Sequence, residues 1–103
     1  MTKGTQSYRF LSMGKVFEWD KEKNQKLIKE RGISFEAIVL QIEAGHLIAI
    51  VSGKGKFRHQ KQYILEFNNY VYVVPFVEGP EGVFLKTIIP SRTLTKRLLL
   101  GGD

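Results

Sequence analysis

Between Ser52 and Tyr63 the chain reads SGKGKFRHQKQY, which places Lys54, Lys56, Arg58 and Lys61 within eight positions and no acid among them. Like charges this dense repel one another, so the segment is either fully solvated or meets an anion. A second basic group, Arg92, Lys96 and Arg97, follows the last long apolar run. These residue types suit a reaction that needs neither metal nor cofactor. RNA carries its own nucleophile, the 2′-hydroxyl. Cleavage requires that this group be oriented and deprotonated, and that the charge growing around the phosphorus be stabilised. Arg92 is the candidate for phosphate binding or transition-state stabilisation, Lys61 the second, and His59 the candidate for moving a proton. Lys54, Lys56, Arg58, Lys96 and Arg97 are candidate grips on the RNA backbone. Each has a bland alternative: a salt bridge or helix-end contact for Arg92, and plain solvation for His59 and the loop lysines.

Composition narrows the setting. The chain has 103 residues, enough for one domain and one core. With 43% hydrophobic and 25% charged residues it falls in the range of soluble globular proteins, and no segment approaches the run of about 20 apolar residues that a membrane span needs. The N-terminal residues lack the apolar core of a secretory signal and there is no cysteine, so a cytoplasmic setting and no membrane partner are expected. The formal net charge is +6, and residues 46–103 supply +4 of it, with eight Lys/Arg against four acids. That balance points to a polyanionic or acidic partner.

Several chemistries find no support. SGKGKF has Phe57 where a phosphate-binding loop needs a hydroxyl after its lysine. The only histidines are His46 and His59, with no acid cluster at ligand spacing around either, so no metal is expected. Nothing in the order of serines and histidines suggests a nucleophilic triad.

The elements that must position these residues can be read from period and punctuation. Residues 15–19, KVFEW, are strand-like, and Trp19 is expected to pack the corner between strand and helix. Asp20 caps a short polar helix that Gly32 ends. Ser34 caps a second helix with Ile33 and Ile38 as its hydrophobic staple, and Phe35, Ile38, Val39 and Ile42 recur at helical spacing. After Gly45 the pattern becomes extended, giving strands over 46–51, 63–67, 70–77 and 83–89. Asn68–Asn69 suits a tight hairpin, and Pro75 predicts an edge position or bulge. Ser91 or Thr93 caps a short C-terminal helix. Residues 1–14 show no period and are expected to form a partly ordered arm before a single domain over 15–103. Tyr63, Tyr70 and Tyr72 could offer stacking faces to bases, and Glu18 could act as a base if buried.

The stretch FEWDKEKNQKLIKERGISFEA, residues 17–37, resembles the opening of the BrnT family of bacterial type II toxins. Phe17, Glu18, Trp19, Asp20, Lys23, Gly32, Ile33, Ser34, Phe35 and Glu36 match without a gap. More loosely, IIPSRTLTKR resembles the family's closing segment, with Ser91, Arg92 and Thr95 in place. The resemblance implies a RelE-like α+β fold: a small antiparallel sheet of about four to five strands, two N-terminal helices packed on one face, and a short C-terminal helix. It also implies a ribonuclease that inhibits translation, with RNA and a cognate ribbon-helix-helix antitoxin as partners. The assembly would be a homodimer or a toxin–antitoxin hetero-oligomer. The chain departs from the family at Arg31 and Leu27, and an arginine common in the family falls here at about Gln62, beside Lys61. Lysine lacks the planar, bidentate fit of arginine to phosphate.

Three readings remain open at this stage: a ribonuclease toxin, a basic RNA- or DNA-binding module without catalysis, and an interaction protein that joins a regulatory complex. The first two share one expectation. Neutralising Lys54, Lys56 and Arg58 together weakens nucleic-acid binding and flattens its dependence on salt, by up to about three units of slope in log affinity against log salt. An unchanged slope in a fluorescence-anisotropy titration would remove the basic loop from the interface.

Overall fold

A computed structural model describes residues 7–12, 14–53, 55–57, 60–80 and 82–101. The elements in chain order are β1 (Ser7–Ser12), β2 (Lys15–Asp20), α1 (Lys21–Arg31), α2 (Phe35–Glu43), β3 (Leu47–Ser52), β4 (Lys61–Phe67), β5 (Tyr70–Glu78), β6 (Gly82–Leu85), β7 (Ile89–Pro90) and α3 (Arg92–Leu98). The strands form one sheet in the order β1-β2-β6-β5-β4-β3, with β7 pairing β5 beyond the end of β6.

This corrects the expected RelE-like arrangement of a four- to five-stranded antiparallel sheet behind two N-terminal helices. Seven strands are described, β2 runs parallel to β6, and β1 and β2 precede the helices. β1 lies inside the segment expected as an arm. Its six residues, SYRFLS, are too short and too mixed to show a period, and only pairing with β2 makes them a strand. The parallel contact joins residues more than sixty positions apart, so no local pattern announces it. No helix among the described residues is long and apolar enough to cross a membrane.

Where the chain signals locally, structure follows. The Asp20 carboxylate accepts from the Glu22 N–H at 2.9 Å, and the Ser34 hydroxyl accepts from the Ala37 N–H at 3.0 Å, so each helix start has an orphan donor satisfied. Gly32 closes α1 in the left-handed conformation at φ 69°. The hairpin between β4 and β5 turns on Asn68 and Asn69, both at positive φ (53° and 60°), as a type I′ turn requires.

The core forms where strand alternation and helix stripes meet. Phe17 and Trp19 on β2, Tyr63 and Leu65 on β4, Val74 and Phe76 on β5, and Val83 and Leu85 on β6 share one face of the sheet and pack with Leu27, Ile33, Phe35, Ile38 and Val39 of the helical segment. Trp19, 1% exposed, stacks on Phe35 with ring centroids 5.6 Å apart, which settles its role as the strand–helix corner. The buried Asn24 of α1 accepts from the Phe35 N–H at 2.8 Å and so links the two helices. At the start of β5, Val71 has both backbone groups taken by the α3 segment: its N–H donates to the Thr95 hydroxyl at 2.8 Å, and its C=O accepts from the Ser91 N–H at 2.9 Å.

Pro75 sits in the interior strand β5, which rules out the edge position among the two alternatives, edge or bulge, that the sequence left open. Its carbonyl accepts from the Lys86 N–H on the β6 side. On a strand the N–H and C=O of one residue point the same way, so the missing donor of Pro75 faces the gap between β6 and β7, where ladder bonding is already interrupted.

Gly82 is demanded by the parallel pairing. A Cβ at this position would lie 2.1 Å from the carbonyl oxygen of Val16. Backbone cannot yield as a flexible side chain can, so Gly82→Ala is expected to cost on the order of 2 kcal/mol or more and to lower the melting temperature by about 8 °C or more. Gly79→Ala, where the nearest atom is at ordinary contact distance (4.0 Å), is the control. Equal melting of the two variants would show that β2 and β6 do not approach this closely.

Candidate nucleic-acid interface

The basic segment leaves the sheet at one rim, and the rim is where charged side chains gather. Lys61 opens β4 directly opposite Phe76 of β5, so Glu78, two residues further along, is on the same face. The Lys61 Nζ and Glu78 Oε1 are 2.7 Å apart, with the side chains 35% and 47% exposed. Lys15 joins them through the parallel contact: Phe17 pairs Val83, Val83 pairs Glu78, and Lys15 shares the face of Phe17. The Lys61 hydrogen bond first, then its charge, hold the Glu78 carboxyl below the usual carboxylate range, and the Lys15 charge adds to this. A carboxylate so held is a poor proton acceptor at neutral pH. Its physical effect is to give the Lys61 ammonium a partner on the same face; exposed ion pairs add little to stability.

Beneath the pair lies Tyr63, its ring buried and stacked on Phe76 with centroids 4.0 Å apart and planes 14° from parallel. Burial first, and then the Glu78 charge, push the Tyr63 phenol above its usual pKa, so it remains protonated through the neutral range. The ring is core, not a platform for a base. At the other end of β5, Tyr70 and Tyr72 are half-buried; Tyr72 packs edgewise on Phe67, and Tyr70 packs on Tyr72 with the rings tilted.

Behind the rim, on the face opposite the Lys61–Glu78 pair, is a small cleft of ≈ 160 Å³ lined by Val51, Gln60, Gln62, Pro75, Val77 and Lys86 among others. That is below the roughly 300–1,000 Å³ of small-molecule sites, and it suits a single phosphate better than an enclosed substrate. Gln62 follows Lys61 on the strand, so their side chains leave opposite faces. Lys61 therefore does not stand in for an arginine at position 62.

The remaining sequence candidates are scattered. Lys56 is exposed in a short 3-10 turn over Gly55–Phe57. Lys54, Arg58 and His59 lie outside the described residues. Arg92 is exposed at the first position of α3, whose cap residue Ser91 is bonded to Val71. Val71 is five residues from Phe76, the partner of Lys61, so Arg92 and Lys61 are separated by about 17 Å along β5. Lys96 and Arg97 are exposed in the last turn of α3, where the helix dipole favours cations. Glu18 is on the opposite face from Trp19, in a cross-strand ion pair with Arg9 at 3.1 Å. Arg31 donates to the Ile88 carbonyl and ties α1 to the segment between β6 and β7.

Sequence reasoning missed Lys15, Glu78 and Lys86. Only the alternation of KVFEW, which puts Lys15 on the face of Phe17 and Trp19, carried any hint. Among the described residues no three histidine, aspartate or glutamate side chains converge on one point. Comparison of the chain with protein families, with curated proteins and with solved structures found no match.

The Glu78 shift sets a sign for pH. A carboxyl whose folded pKa is depressed contributes stability at pH above the unfolded value, and that contribution is lost as pH falls through the folded pKa. The Tyr63 phenol, shifted upward, works the other way at alkaline pH: its contribution is lost as pH rises through its folded pKa. An absorbance titration is expected to show one tyrosine ionising after the rest. In Glu78→Gln that delay should shrink only in part, because burial is its larger cause. Its complete disappearance would contradict the buried ring.

Proposed function

We propose that this chain acts on RNA as the toxin component of a bacterial toxin–antitoxin pair, a metal-independent ribonuclease of the cytoplasm held in check by a cognate antitoxin. The observation that carries the reading is the Lys61–Glu78 pair, with Lys15 on the same face of the sheet, at the root of the basic segment 52–62. A rim with Lys61 and Lys15 on one face, next to a cationic segment, suits a phosphodiester backbone, and the same rim suits the acidic residues of an inhibitor. The BrnT-like opening over residues 17–37 supplies the toxin reading. Arg92 would stabilise the transition state from a separate position along the strand, and RNA would have to span both.

The distance of about 17 Å between Arg92 and Lys61 favours a second reading, a basic RNA-binding module without catalysis. Cleavage of a bulk RNA by the purified chain in EDTA separates the two. On the toxin reading the chain cuts free RNA or RNA on translating ribosomes, and Arg92→Ala lowers the rate by about a hundredfold or more, as loss of a stabilising donor does. RNA bound but left intact in both settings moves the conclusion to binding. No affinity for RNA at all sinks both.

A further inference from the structure

Where β2 runs into α1, at the opposite end of that strand from Lys15, the structure forms another cleft, of ≈ 330 Å³. Tyr8 of β1, Trp19 of β2, Lys21, Asn24 and Gln25 of α1, and Glu36 at the start of α2 line it. Its volume is at the lower end of the range of small-molecule sites. The aromatic wall is built in depth. Tyr8 lies opposite Trp19 across the strand pair with ring centroids 5.3 Å apart, and Trp19 in turn stacks on Phe35. Trp19 is buried and Tyr8 is 38% exposed, so Tyr8 is the ring that a ligand meets.

Asn24 is half explained by the fold. The residue is only 8% exposed, and its Oδ1 accepts from the Phe35 N–H at 2.8 Å. That bond fixes which way the amide points, because only its oxygen can accept. The Nδ2 then carries two N–H donors, and no group among the described residues accepts from them. Every fully buried side-chain nitrogen or oxygen among the described residues has a partner, so an Nδ2 without one is open to solvent, through the cleft that Asn24 lines. Leaving an amide donor unpaired at such burial is costly. At the mouth, the Lys21 ammonium offers further donors and the Glu36 carboxylate only acceptors; neither has an ion-pair partner among the described residues.

We propose that this cleft binds a guanine base, held between the Asn24 amide and the Glu36 carboxylate against the Tyr8 ring. The ligand must bring an acceptor to Asn24, donors to Glu36 and a flat face to the tyrosine. Guanine presents two adjacent donors, its ring N–H and its 2-amino group, beside a carbonyl. One carboxylate takes both donors while the carbonyl accepts from the amide or the Lys21 ammonium. Adenine and cytosine set a ring acceptor beside their amino group, against the carboxylate, and uracil offers a single N–H. The base can belong to a free nucleotide or to an unpaired position in RNA. Trp19 is four residues from Lys15, about 13 Å along β2, so the cleft is separate from the charged rim. Binding of a free nucleotide does not depend on the action on RNA; binding of an RNA base rests on that reading.

Calorimetric titrations of the full chain with the 5′-monophosphates of guanosine, inosine, adenosine, cytidine and uridine hold the phosphate constant and vary the base. The guanosine nucleotide is expected to bind about tenfold or more tighter than the others, inosine included, because hypoxanthine lacks the 2-amino donor. Glu36→Gln, at an exposed side chain, should melt like the wild type and bring the guanosine and inosine nucleotides toward equal affinity. Asn24→Asp keeps an acceptor for the Phe35 N–H but has no donor, and should weaken the guanosine nucleotide by about tenfold or more. A uridine pentamer with one central guanosine, set against the all-uridine pentamer, separates the sources. Preference for the guanosine pentamer that Glu36→Gln abolishes puts an RNA base in the cleft; preference among mononucleotides alone makes it a free-nucleotide site. Equal affinity for all five nucleotides and for both pentamers, or a guanine preference that survives both Glu36→Gln and Asn24→Asp, would overturn the proposal.

Discussion

The parallel contact between β2 and β6 is the constraint on which the rest of the structure depends. Without it the chain would be two pieces, a β1–β2 hairpin leading into α1 and α2, and a meander from β3 to β7. The contact is short, three residue pairs from Val16↔Gly82 to Glu18↔Phe84, and it is closed only because Gly82 has no side chain to meet the Val16 carbonyl. Through it Phe17 and Trp19 come onto the same face as Val83, Leu85 and Phe76, and the helices that follow β2 have an apolar surface to cover. The same three pairs bring Lys15 toward Glu78 and Lys61. One backbone approach thus builds both the core and the charged rim.

The two ends of β5 serve different purposes. At its start, Val71 is bonded by Ser91 and Thr95, the tilted rings of Tyr70 and Tyr72 pack together, and α3 rests against the strand. This end is saturated by its own chain. At its finish, Glu78 pairs with Lys61 and shares a face with Lys15, and the neighbouring β3–β4 connection carries the densest positive charge in the sequence. The buried Tyr63–Phe76 stack lies beside Lys61 on the same face of the sheet, and Glu78 pairs with the Lys61 ammonium. A cation with a fixed place in the fold, beside a segment rich in further cations, is better suited to positioning a phosphate than charge spread along a solvated helix such as α1.

Legibility from sequence followed the range of the forces involved. Asp20, Ser34 and Gly32 act on atoms within a turn of themselves, and Asn68–Asn69 needs only its own φ angles, so these boundaries could be read directly. The apolar periods of β4, β5 and α2 named much of the core for the same reason. β1 could not be read, because six mixed residues become a strand only when β2 is present. Pro75 signals an edge position or a bulge; the edge alternative fails, because the missing donor is accommodated by a break in the partner, between β6 and β7, and not by the end of the sheet. The site divided likewise. Lys61 and the basic loop are plain in the sequence, whereas Glu78 and Lys15 join them only through pairings across the sheet, and the distance to Arg92 is set by the length of β5.

The most direct measurement is a map of where RNA touches the chain. Amide chemical shifts of the isotopically labelled protein, followed by NMR through a titration with a short single-stranded RNA, report contact residue by residue. The account predicts that the largest shifts gather at Lys15, at Ser52 to Lys61 and at Glu78, with a second group at Arg92. Shifts confined to the lysines of α1, or spread evenly over every exposed cation, would contradict it.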